Sequence, residues 1–296
     1  MTDKVRESIE RLKAFEPEDG YLLAFSGGKD SVVIKALADM AGVNYHARYT
    51  VTSVDPPELV QFVKAQKDVE MFFPRDVEGK RITMWSLIER KGTLPTRLAR
   101  YCCASLKESQ NGGKTAITGV RWAESTNRAE SAGIIRATNK AKAAELIEVG
   151  FEPTRRGSVL RNDNVDKRRV MEVCSLRNDI TVNPIVDWDD DDVWGFIHRE
   201  GVPYCGLYDE GFSRLGCIGC PMAGRKGRLK EFARWPRYVT LYKRAIARML
   251  DARERKGLKR IWDSVDDAWN WWIEEPVGRG QKTLGLEAEH DTLPTD

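Results

Sequence analysis

The chain has 296 residues, 41% hydrophobic and 31% charged, with 48 Lys and Arg against 45 Asp and Glu. That length buries a substantial core in one large or two modest domains, and the composition excludes a disordered or fibrous chain. The net charge of +3 announces no nucleic-acid or membrane partner for the chain as a whole, and no apolar run nears the roughly 20 residues that span a bilayer.

The opening stretch MTDKVRESIERLK is charged throughout and reads as no secretory signal, so a cytoplasmic protein is expected. Residues 2–14 are predicted as a short amphipathic helix, ended by the turn from Glu16 to Gly20. Tyr21 to Phe25 is an apolar strand, and Ser31 to Ala41 a helix after two glycines. Further strands are predicted at Asn44–Val51, Val69–Phe73, Thr115–Val120, Val170–Cys174 and Thr181–Val186. Residues 129–168 are polar and basic, helix-prone around AKAAELIE and irregular from Pro153 to Asp166. They read as an insertion, either a flap or a solvated surface excursion. Strands alternating with helices imply an α/β fold, a doubly wound and mainly parallel sheet over residues 1–200. From 201 to 296 a cysteine loop leads into a basic, tryptophan-rich helical extension, expected to pack on the first domain.

The chemistry concentrates first in Ser26-Gly27-Gly28-Lys29-Asp30-Ser31, between strand and helix. Glycines there allow a tight turn and leave no side chain between amide and ligand. The helix start offers unpaired N–H groups and the positive end of the dipole to a phosphate chain. Ser26 and Ser31 add hydroxyls, Lys29 adds charge, and Asp30 implies either Mg2+ or a structural role in the turn. A Walker A loop is excluded, because Leu23 stands where its first glycine belongs and Asp30 where it has Ser or Thr. A ligand-free glycine turn is the plainer alternative, disfavoured by four hydrogen-bonding side chains around two glycines. The string resembles the PP-loop of the ATP pyrophosphatase (adenine nucleotide alpha hydrolase-like) superfamily. That resemblance implies an adenine nucleotide bound by Ser26, Gly27, Gly28, Lys29, Asp30 and Ser31, with Lys29 and Asp30 as catalytic candidates.

Six cysteines in a reducing compartment point to metal or redox chemistry before disulfides. Cys217-Ile218-Gly219-Cys220 is a CxxC on a glycine-containing loop, and Cys102-Cys103 is a tandem pair. Together they supply four thiolates for a [4Fe–4S] cluster or for a zinc ion, with a dithiol redox pair as the alternative. Cys205 is an alternative ligand, Cys174 is expected to be buried in its strand, and either Cys205 or Cys174 is left as a nucleophile for a reductase.

Several segments resemble the phosphoadenylyl-sulfate (PAPS) and adenylyl-sulfate (APS) reductase family, in family order from about residue 20 to 222. They are Arg100 to Lys107, Gly119 to Ser125 with Arg128, Asn183 to Trp188 with Asp192 to Trp194, and Leu207 to Phe212 through Cys220. The resemblance implies a [4Fe–4S] cluster on Cys102, Cys103, Cys217 and Cys220, a catalytic Lys107 reaching from it toward substrate, and anion-binding Arg121 and Arg128. Two departures shift the expectation away from sulfonucleotide reduction. The nucleophilic cysteine of the reductase tail is missing after Cys220, and the phosphate loop is intact where the reductases carry a degenerate one. The expected activity is therefore adenylation of an acceptor by ATP, with pyrophosphate release and sulfur transfer. PAPS or APS reduction is the alternative, and a non-catalytic nucleotide sensor or DNA-binding regulator is a third reading. A sulfur-donor protein and a homo-oligomer are compatible partners.

Weaker features have plainer readings. The acidic run Asp187 to Asp192 is expected to cap a helix rather than bind metal. His46 and His198 lack partners in motif spacing, and Trp262, Trp269, Trp271 and Trp272 are expected core contacts. The interleaved basic and aromatic residues of 225–248 suit either a nucleic-acid backbone or a solvated helix.

Overall fold

A computed structural model describes residues 2–107, 114–137, 147, 150–154, 157–161 and 180–274. The chain forms two units, Met1–Leu87 with Arg100–Ile218, and Ile88–Ala99 with Gly219–Asp296. Among the described residues no helix is long and apolar enough to cross a membrane.

The first unit is built on an eight-stranded sheet. After helix α1 (Asp3–Ala14) come β1 (Tyr21–Ala24), α2 (Lys29–Ala41), β2 (Tyr45–Thr50), α3 (Pro57–Ala65) and β3 (Val69–Phe72). Helix α4 (Met84–Lys91) crosses the division between the units, and α5 (Tyr101–Leu106), β4 (Ala116–Ile117) and α6 (Thr126–Ser131) follow. Then come β5 (Ile135–Ala137), β6 (Glu152–Thr154), β7 (Gly157–Leu160), β8 (Ile180–Val182) and α7 (Asp190–Glu200). The strand order is β3-β2-β1-β4-β8-β5-β7-β6. The first five are mutually parallel, and β5, β7 and β6 join antiparallel. Chain direction across the sheet reverses between β1 and β4. In an open α/β sheet that switch point leaves a crevice beyond the carboxyl ends of the strands.

The sequence explains these choices locally. Tyr21, Leu22 and Leu23 are all buried, which accounts for an apolar run without alternation in a central parallel strand. Gly28 is the N-cap of α2, so that helix starts at Lys29, two residues before the expected Ser31, and Gly42 ends it at φ +69°. The acidic run does cap a helix: Asp189 and Asp192 form a reciprocal capping box on α7. Asp187 has a separate task, a two-pronged pair at 2.8 Å with the buried Arg11 of α1.

The segment read as an insertion, 129–168, forms sheet where it is described. Its residues supply β5, β6 and β7, which widen the sheet, and Ile135, Ala137, Val159 and Leu160 are buried. Ala132, Ile134 and Phe151 pack in the same apolar cluster, so this part is sheet rather than solvated surface. The expected strand Val170–Cys174, Cys174 itself, most of the helix-prone AKAAELIE stretch and the tail after Glu274 lie outside the described residues.

The second unit holds α8 (Gly224–Arg234), α9 (Arg237–Arg255) and α10 (Val265–Ile273). Its core gathers Phe232, Trp235, Tyr242, Ile246, Met249, Trp262 and Trp272 with Ile88 and Leu94. Trp262 and Trp272 are core residues as expected, and the Trp272 indole N–H donates to Pro95 O at 2.8 Å. Gly219 has φ +78°, and a Cβ there would sit 2.7 Å from the Phe232 ring, so only glycine fits beneath these aromatics.

Candidate functional site

The phosphate loop leaves β1 at the switch point. Gly27 turns with φ +73° and lies against α3, where a Cβ would meet Leu59 at 2.6 Å. Ser31 Oγ donates to Gly28 O at 2.8 Å, and Ser26 Oγ lies 3.3 Å from both Ser31 Oγ and the Gly28 N–H that donates to it. The serines thus shape the loop, and within it the Ser31 and Val32 N–H groups donate to Gly28 O at 3.0 and 3.1 Å, so the positive end of the α2 dipole is what the helix start offers a ligand. From the neighbouring strand, Gly119 follows β4 so closely that a Cβ would stand 2.7 Å from Asp30 Cβ.

A charge network fixes the loop's two ionic side chains. Arg121 is 2% exposed; its Nε donates to Asp30 at 2.7 Å, one terminal nitrogen to Asp190 at 2.7 Å and the other to Trp188 O at 3.3 Å. Lys29 Nζ lies 3.3 Å from Asp190 and 3.5 Å from Asp30. Two cations and two carboxylates balance here. Burial raises the Asp190 carboxyl, but hydrogen bonds and charge from Arg121 and Lys29 hold it below its ordinary value. Asp30, for which a cation or a structural role was expected, is paired with Arg121 Nε at 2.7 Å.

Tyr208 closes one side. Its hydroxyl accepts the Lys29 backbone N–H at 2.8 Å, and burial pushes the phenol up, so it stays protonated with an O–H to offer a ligand. Trp194 of α7 supports it edge-on at 5.1 Å. Arg128 pairs with Glu124 and is 44% exposed. Burial lowers its pKa, and Arg214, Arg121 and Arg100 lower it further against the pull of Asp30. Three guanidinium groups therefore lie close enough to Arg128 to disfavour its charge, an effect that a bound polyanion would offset.

The cysteines present a mixed picture. The five described cysteines are all free thiols. On α5, a hydrogen bond with Cys102, then Arg100 and Lys107, outweigh burial and hold the Cys103 thiol at about 5, the thiolate form that ligates metal. Cys217 sits by the loop after β2, its Sγ 3.4 Å from Thr52 Oγ1, with the Ile218 N–H donating to Val54 O at 2.7 Å. Cys220 belongs to the second unit. The donor chemistry suits a cluster, yet among the described residues no three His, Cys, Asp or Glu side chains gather as a metal group. Cys205 is 1% exposed and burial pushes its thiol up, which suits neither ligation nor attack.

The structure therefore brings together Ser26, Gly27, Gly28, Lys29, Asp30, Ser31, Arg121 and Arg128. Lys107 lies close enough to Cys103 for its charge to favour the thiolate. Arg121 was expected as an anion ligand; its guanidinium is spent on Asp30, Asp190 and Trp188. Sequence reasoning missed Asp190, Tyr208 and the close approach of Gly119, which act on the loop from more than 80 residues away.

A match to the phosphoadenosine phosphosulfate reductase domain spans residues 20–223. The chain is 27% identical over 253 residues to an uncharacterized protein of Methanocaldococcus jannaschii, covering 84% of this chain and 51% of that protein. It is 42% identical over 53 residues to the adenosine 5'-phosphosulfate reductase of Neisseria meningitidis, 18% of this chain and 22% of that enzyme. The phosphoadenylyl-sulfate reductase structure from Candida auris aligns with a TM-score of 0.41 at 16% identity, over 71% of this chain and 88% of that one. The chain spans about half the length of the curated relatives it matches across most of its own sequence.

Proposed function

The chain belongs to the phosphoadenosine phosphosulfate reductase domain family, and from that premise we propose an enzyme that binds ATP, adenylates an acceptor and takes part in sulfur transfer. The observation that carries the reading is the intact Ser26–Ser31 loop at the N-terminus of α2, with Lys29 poised over it at the switch point. An acceptor oxygen attacks the α-phosphorus, the bond from that phosphorus to the bridging oxygen breaks, and pyrophosphate leaves with the electron pair. Charge growing on pyrophosphate meets the positive end of the α2 dipole and the Lys29 ammonium, which exchanges Asp190 for phosphate. Asp30 and Arg121 keep the loop in shape. Arg128, Arg100 and Arg214 supply the positive field that the balanced loop network lacks.

The proposal includes a [4Fe–4S] cluster on Cys102, Cys103, Cys217 and Cys220, supported by the two paired motifs and the acidic Cys103 thiol. Such a cluster would supply redox or sulfur chemistry, with Lys107 beside it. Anaerobic purification tests this part: brown protein with iron and acid-labile sulfide is expected, and colourless protein containing zinc would remove it. Mg2+, the sulfur-donor protein and the acceptor also belong to the proposal.

A second reading, reduction of PAPS or APS, is favoured by the local identity to adenosine 5'-phosphosulfate reductase. It needs an attacking thiolate, and the buried Cys205 is unsuited to that task. Incubating the protein with ATP, PAPS and APS separates the readings. Pyrophosphate from ATP is expected; sulfite from PAPS or APS would replace the first reading by the second. Tight ATP binding with no product under any acceptor would indicate a sensor.

A further inference from the structure

Between Gly219 and Glu274 the sequence carries 14 Lys or Arg against 7 Asp or Glu, an excess larger than the +3 of the entire chain. The second unit is therefore strongly basic while the remainder is net negative. The excess is ordered rather than scattered. On α9, Arg237, Arg244, Arg248 and Arg255 recur at intervals of 7, 4 and 7 residues, which returns each to nearly the same angular position on a helix. All four are exposed. The row is about 27 Å long at 1.5 Å per residue. The buried face of the same helix, Tyr242, Ala245, Ile246, Met249 and Ala252, fixes it to the unit's core.

Two members of the basic stretch are excluded by burial. Arg228 is 2% exposed and donates to the Trp272 and Ile273 carbonyls at 2.6 and 3.2 Å, where it closes the end of α10. Trp235 is buried in the aromatic core. Among the described residues, acidic neighbours offset one end of the row only: Glu89 lies 3.5 Å from Arg248 and 3.9 Å from Arg255, and Asp251 sits between those two along the helix. Lys243, on another side, is already paired with Asp266 at 2.6 Å. Arg237 and Arg244 carry the uncompensated end.

We propose that this face of α9 docks a nucleic-acid duplex by its phosphate backbone. A duplex presents one negative charge per about 1.7 Å of its axis, a match for a linear row of guanidinium groups. Single strands are held largely by base stacking on exposed aromatic rings. None of the exposed large apolar side chains among the described residues is aromatic, so charge is offered without a stacking platform. A membrane surface would need apolar side chains to insert beside the charges, and α9 exposes no large apolar side chain. The inference is independent of the reaction at the phosphate loop.

Fluorescence anisotropy with the full chain tests it, using a labelled 30-base-pair duplex, the matching single strand, and vesicles of phosphatidylserine and phosphatidylcholine. Duplex binding should weaken about a hundredfold from 50 to 200 mM salt, as about four displaced counterions require. Arg237→Ala/Arg244→Ala should reduce the log–log salt slope by about 1.8, while Arg237→Lys/Arg244→Lys keeps it. Unchanged ATP binding and melting temperature in both variants establish that they fold. No duplex binding at 50 mM salt, an unaltered slope in the alanine variant, or preference for single strands or vesicles would overturn the proposal.

Discussion

At Gly27 the backbone adopts φ +73° with α3 pressed against it, so two separate costs oppose any side chain. Gly42 has nearly the same φ, +69°, and nothing within 4 Å of a would-be Cβ. Gly42→Ala should cost about 1 kcal/mol from the left-handed conformation alone. Gly27→Ala should cost about 2 kcal/mol, since Leu59 must also move. Urea melts of the two variants measure the difference. Asp190 offers a test by pH. Its folded pKa is depressed below the ordinary 3.8, so its contribution to stability is full above that value and is lost as the pH falls through the depressed one. The stability gap between wild type and Asp190→Asn should be constant near neutrality and close in acid, as followed by thermal melts from pH 7 to pH 2. A gap that widens in acid would contradict the pairing with Arg121 and Lys29. The loop itself was legible because its six residues are contiguous and their chemistry is local. Asp190 was hidden inside an acidic run read as a helix cap. That run does cap α7 through Asp189 and Asp192, and this leaves Asp190 to face the loop. Tyr208 was hidden because a single hydroxyl accepting one amide 179 residues away leaves no pattern in a sequence.

Among elements, the parallel strands and α2 were readable because continuous apolar runs and glycine stops are strong signals. β4 was read as Thr115–Val120 but is only Ala116–Ile117. Gly119, just past β4, passes beside the first turn of α2, where an added Cβ would stand 3.1 and 3.2 Å from Asp30 backbone atoms. Backbone cannot step aside as a side-chain tip can. Gly119→Ala should therefore cost about 1–3 kcal/mol. It should also weaken ATP binding by displacing the loop, whereas Gly42→Ala, at the far end of α2, leaves affinity intact. Titration calorimetry on the two proteins compares them. β5, β6 and β7 were missed for another reason. With three or four residues each, they carry too little periodicity to stand out, and they become strands by pairing at the sheet edge.

For the molecule as a whole, the charge total of +3 concealed a segregation, with the basic excess gathered into the second unit. A change of character was read at residue 201, while the later unit begins at Gly219; the inclusion of residues 88–99 in it was not readable, because α4 runs through residue 88 without a break. What ties residues 88–99 to the later helices are long-range hydrogen bonds, from the Trp272 indole to Pro95 O at 2.8 Å and from Arg253 to Gly92 O at 2.9 Å. The central claim, that the Ser26–Ser31 loop grips the phosphate chain of ATP, is tested most directly by equilibrium binding of ATP, pyrophosphate and AMP to wild type and Lys29→Ala. ATP and pyrophosphate should compete for one site, and Lys29→Ala should weaken both at least tenfold while AMP is little affected, in a variant that still unfolds cooperatively. Equal binding of ATP by the two proteins, or failure of pyrophosphate to displace ATP, would contradict the account.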